Sequence, residues 1–157
     1  MKKLLLSAVF LAGCDTSSSP PPVAPPPPPP VPAAPLKPEP ERIVVQHILI
    51  SFAGAPKTKQ SRSKAEAETL AKELLERVKK GESFEELMKR YSDDTGPGEY
   101  GMANHNVTPA GPKESPRKGM VPAFGNVGFQ LDVNGIGLAV HDPAASPFGW
   151  HIIKRVK

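Results

Sequence analysis

Two histidines invite a chemical reading because of where they sit. His47 lies in Val44-Val45-Gln46-His47-Ile48-Leu49-Ile50 and His151 in Phe148-Gly149-Trp150-His151-Ile152-Ile153, each within an apolar run of the kind that forms a buried strand. A buried imidazole loses its solvation and must gain a hydrogen-bond partner, and two of them at opposite ends of one domain can serve each other. Taken singly, each reads more readily as a hydrogen-bonded core residue. His105 and His141 bring the count to 4, but none of the spacings is that of a chelating motif, so no metal site is expected.

The strands that carry the pair need elements to hold them in one sheet. The first strand is expected over Arg42 to Ser51, followed by a loop to Gln60. Ser63, with Glu66 three residues on, is a capping box, and Ala67, Leu70, Ala71, Leu74 and Val78 recur at helical spacing until Gly81. Ser83 and Glu86 repeat the box and open a short helix with Phe84, Leu87 and Tyr91 on its apolar side. A short strand is expected over Gly98 to Met102. Residues 103–118 show no apolar period and read as an irregular excursion. A helical piece begins at Gly119 with Pro122 in its first turn, and closing strands are expected over Gly135 to Val140 and Phe148 to Val156. The order implies an α+β domain: helices around a small, mostly antiparallel sheet.

The working domain is expected to occupy residues 42–157, and what precedes it has a different composition. Of the 21 prolines, those from Pro20 to Pro40 follow Thr16-Ser17-Ser18-Ser19 and include the unbroken run Pro25 to Pro30. Proline fixes φ and removes the amide donor, so residues 14–41 read as a semi-rigid polyproline spacer. Ahead of it, Met1-Lys2-Lys3 and the apolar run to Phe10 have the pattern of a signal peptide over residues 1–13. Leu11-Ala12-Gly13-Cys14 resembles the bacterial lipobox, which implies lipidation of Cys14, attachment to a membrane and an extracytoplasmic location in the bacterial cell envelope. Cys14 is the only cysteine, so no internal disulfide can form. The formal charge of +4 over 157 residues and the 6% aromatic content argue against a nucleic-acid partner.

Five segments, in order and spacing, make the domain resemble the parvulin-type peptidyl-prolyl isomerases. They are His47-Ile48-Leu49-Ile50, Gly81-Glu82-Ser83-Phe84, Tyr91-Ser92-Asp93-Asp94, Gly119-Met120-Val121-Pro122-Ala123-Phe124 and Phe148-Gly149-Trp150-His151-Ile152-Ile153. The resemblance implies a four-stranded, mostly antiparallel sheet surrounded by helices, no cofactor, and a monomer that acts on proline-containing unfolded or exported polypeptides. It further implies catalytic roles for His47, Asp94, Ser146 and His151, with Met120 and Phe124 as the floor of a proline pocket and Phe148 beside them. Tyr100 falls where the family often has an apolar wall residue. Lys57, Lys59 and Arg62 lie where phosphate-directed members carry a basic cluster, which implies a preference for an acidic or phosphorylated residue before proline. The alternative function is an idle-pocket holdase or scaffold.

Overall fold

β1 (Arg42–Ile50) is the central strand because both of its faces are apolar: Ile43, Val45 and His47 are buried on one side, Ile48 and Ile50 on the other. The structure, a computed structural model, describes residues 38–157. The expected signal peptide, the expected lipidation site Cys14 and nearly all of the expected proline-rich spacer lie outside the described residues.

β1 pairs antiparallel with β2 (Glu99–Ala103) on one side and with the later β5 (Trp150–Arg155) on the other. β4 (Ile136–Ala139) adds antiparallel to β5. The fifth strand, β3 (Glu114–Pro116), pairs parallel with β2, so the sheet is five-stranded in the order β3-β2-β1-β5-β4. The expected count of four is therefore corrected. The missing strand lay in the stretch read as irregular, where three residues ending in proline carry no alternation to detect.

Two helices cover one face of the sheet. α1 (Lys64–Lys79) starts on the expected capping box: Glu66 N donates to Ser63 Oγ at 3.2 Å and Ser63 N donates to Glu66 Oε2 at 2.7 Å. α2 (Phe84–Tyr91) forms only half of its box, with Glu86 N donating to Ser83 Oγ. Ala67, Ala71, Leu74, Phe84 and Leu87 meet Ile48, Ile50, Trp150 and Ile152 in a dry cluster. α3 (Pro122–Gln130), entered through a 3-10 turn at Arg117–Gly119, covers the opposite face, where Phe124 and Phe129 pack with Ile43, Val45, Met102 and Ile153.

The domain begins earlier than residue 42. Asn104 N donates to Glu41 O at 2.8 Å, Asn104 Nδ2 to Pro40 O at 2.9 Å, and Glu39 pairs with Arg117. These three residues, expected in the spacer, are built into the fold.

Candidate active site

Period-two alternation decides which side chains can meet. In β5, Trp150 and Ile152 enter the α1–α2 cluster, so His151 must face α3, and His47 shares that face through β1. Gly149 delivers the turn into β5: its φ is +140°, and a Cβ there would collide with the Ile50 carbonyl.

The two imidazoles lie nearly parallel, at 12°, with Nδ1 to Nδ1 at 3.2 Å. His47 Nε2 approaches Asp94 Oδ2 at 2.7 Å, the same oxygen that accepts the Tyr100 hydroxyl at 2.7 Å, while Asp94 Oδ1 accepts Gly96 N at 3.0 Å. The hydrogen bond from His47, helped by those from Tyr100 and Gly96, holds the Asp94 carboxyl far below the usual carboxylate range despite partial burial. An ionised carboxylate only accepts, so His47 carries a proton on Nε2. Burial, reinforced by the neighbouring His47, pushes His151 down to about 3, so it is neutral at physiological pH. Across the Nδ1–Nδ1 contact one ring donates and the other accepts. Burial first, and then its hydrogen bond to the Asp94 carboxylate, raises the Tyr100 hydroxyl well above its ordinary value, so it stays a donor.

Asp94 is placed by a short segment stapled to β1. Asp93 N donates to Leu49 O at 2.8 Å, Leu49 N to Ser92 Oγ at 3.2 Å, and Ser51 N to Asp93 Oδ2 at 2.7 Å. Beside the histidines opens a cavity of about 320 Å³. Tyr100, Met120, Phe124 and Phe148 line it, and the Phe124 ring stands edge-on to His47 at 5.1 Å and to His151 at 5.6 Å.

The remaining expected residues divide. Ser146 is buried, but its hydroxyl donates to Gly149 O at 2.8 Å, so it orders the turn into β5 instead of touching either imidazole. Arg62 is engaged by Asp93 and by Ser51 O at 3.1 Å. Lys59 is exposed away from the cavity, and of the three only Lys57 lines it. The Arg62–Asp93 pair carried no sequence signal, because its partners are joined only once α1 and the end of α2 fold against β1. Among the described residues, no group of three or more His, Cys, Asp or Glu side chains converges as a metal would require.

The chain is similar to several known proteins. A family model described as the PPIC-type PPIase domain matches residues 34–157. Chaperone SurA of Chromohalobacter salexigens is 36% identical over 124 residues, covering 74% of this chain and 23% of its own length. Foldase protein PrsA 1 of Bacillus cereus is 37% identical over 99 residues, covering 63% of this chain and 30% of its own. The chain thus spans less than a third of the curated relatives it matches. Peptidyl-prolyl isomerase ESS1 from Candida albicans superposes with a TM-score of 0.55 at 24% identity, over 74% of this chain and 63% of that one. The solution structure of TbPIN1 gives 0.55 at 21%, over 74% of this chain and 98% of that one. At these identities the two structures share the fold.

Proposed function

The chain belongs to the family of PPIC-type peptidyl-prolyl isomerase domains, and from that membership we propose that it interconverts cis and trans X-Pro bonds in unfolded or exported polypeptides. The carrying observation is the Asp94–His47–His151 chain of hydrogen bonds beside an apolar cavity lined by Met120, Phe124 and Phe148. Rotation about a peptide bond meets a barrier of ~18–20 kcal/mol because twisting destroys its resonance. The twisted bond is less polar at its carbonyl, so a dry pocket that grips the prolyl ring favours it over the planar ground state. Lowering the barrier by about 5–7 kcal/mol yields about four to five decades in rate, without a nucleophile. In this reading Met120 and Phe124 hold the ring, Phe148 and Tyr100 wall it, and the fixed Asp94–His47–His151 chain sets the field at the carbonyl. Ser146 supports His151 through the turn at Gly149.

A protease-coupled assay on a proline tetrapeptide tests the reading: turnover in the wild type that falls in Met120→Ala supports it. Two of the relatives are called a chaperone and a foldase, which favours a second reading as a holdase. Peptide binding without turnover would select that one. Lys57, the one basic-loop residue lining the cavity, supports a preference for an acidic residue before proline. Equal rates on Glu-Pro and Ala-Pro peptides would end that idea. The segment Leu11-Ala12-Gly13-Cys14 supports lipid anchoring at Cys14 in the cell envelope; labelled palmitate that enters the wild type and not Cys14→Ala is the expected result.

A further inference from the structure

A buried cation stands behind the cavity floor, outside the site. Arg117 opens the 3-10 turn that delivers Met120, whose N–H donates to Arg117 O at 3.0 Å. Its side chain is 8% exposed and lies against α3. Gly125 makes the room: a Cβ there would stand 3.1 Å from Arg117 Cγ. The guanidinium lies 4.6 Å from the centre of the Phe129 ring, and Phe129 belongs to the cluster that contains Phe124 and against which Met120 packs.

Both terminal nitrogens of Arg117 are answered, while its buried Nε has no hydrogen-bond partner. Nη1 donates to Glu39 and to Asn104 Oδ1 at 2.8 Å, and Nη2 donates to Asn126 Oδ1 at 2.9 Å. Glu39 receives Asn104 Nδ2 on Oε2 at 3.2 Å and Gln130 Nε2 on Oε1 at 2.7 Å. One carboxylate ahead of β1 therefore joins the end of β2, the turn before Met120 and the α3 helix. The hydrogen bond from Arg117 keeps that carboxyl below its ordinary value.

Packing alone does not call for this arrangement, because an apolar side chain could fill the same space without the desolvation cost of a buried charge. What a forked guanidinium adds is direction, since its donors reach fixed acceptors on separate elements. We propose that Glu39 and Arg117 are positioning residues for the prolyl pocket: their ion pair sets Met120 and Phe124 relative to His47 and so tunes substrate affinity. The kinetic part of this rests on the isomerase reading above, whereas the structural part does not.

The test compares Glu39→Gln, Arg117→Met and the double variant in the full chain, using steady-state isomerase kinetics and NMR of 13C-methyl-labelled methionines. The Met120 signal is assigned by its loss in Met120→Leu. Glu39→Gln is expected to shift the Met120 methyl signal and to raise KM about fivefold with kcat within about twofold of wild type. Both effects are expected to vanish when Glu39→Gln is made in the Arg117→Met background. Arg77→Gln is the control for simple loss of stability, because Arg77 ties Glu82 and Tyr91 together at the α1–α2 corner, remote from the floor. A Glu39→Gln protein that merely melts earlier, as Arg77→Gln should, with the Met120 methyl and KM unmoved, overturns the proposal. If the wild type shows no turnover, the isomerase reading fails, and the methyl shift alone decides for or against the ion pair's role.

Discussion

The two faces of the sheet are built by different rules. The α1–α2 face is closed by helices with local start signals and an apolar stripe, and it buries Ile48, Ile50, Trp150 and Ile152 in one continuous apolar cluster. The α3 face takes the neighbouring residues of the same strands, His47, His151, Val45 and Ile153, and covers them with a helix rich in small residues and with irregular chain. One face maximises contact; the other leaves about 320 Å³ open beside a chain of hydrogen-bonded polar groups. Adjacent residues on one strand thus supply the packed core and the proposed site separately, which is a use of alternation that a helix could not make so cleanly.

That division can be broken by experiment. The largest effect is expected from Leu74→Ala, which empties a fully buried position on the α1–α2 face and should cost ~2–5 kcal/mol in urea denaturation. Isomerase activity per folded molecule should stay at the wild-type level, and an activity loss exceeding the unfolded fraction would show that the faces are coupled. Asp94→Ala acts on the other face. It strips the acceptor from His47 and Tyr100 and should lower kcat/KM about a hundredfold, ~2.7 kcal/mol, in the protease-coupled assay.

Acid should separate the faces next. His151 is held at about 3 in the fold against 6.5 unfolded, so below pH 6.5 the unfolded chain binds the extra proton and stability falls as pH falls. The slope should approach ~1.4 kcal/mol per pH unit as pH drops to 5. Asp94 and Glu39 are both depressed below their ordinary 3.8 and 4.5, so their contributions are lost mainly at lower pH than that window. His151→Gln should flatten the slope, as urea midpoints measured across pH 5–6.5 would reveal. The smallest effect is Ser63→Ala, which removes the α1 cap for about 1 kcal/mol and should leave kcat/KM untouched.

What could be read in advance follows the same division. The central strand, the Ser63–Glu66 box and the stripe from Ala67 to Val78 were legible because propensity, capping and periodicity are local properties of a few neighbouring residues. The convergence of His47 with His151 was also legible, since each histidine interrupts an apolar strand and needs a partner. β3 was not, because Glu114-Ser115-Pro116 has no pattern of its own and exists only through pairing with β2. Nor was the capture of Arg62 by Asp93, or the seat of Glu39 on Arg117: both depend on side chains brought together from 31 and 78 residues apart. The direction of the Ser146 hydroxyl was not legible either, because it is set by the Gly149 turn.

β3 also gives the sheet an outer rim of only three residues, and the last of them is Pro116. A rim this brief, with a ring in place of its final amide donor, offers little template for another extended polypeptide to zip onto. For a protein whose proposed work brings it among unfolded chains, that blunt border leaves little backbone on this side of the sheet on which aggregates could grow.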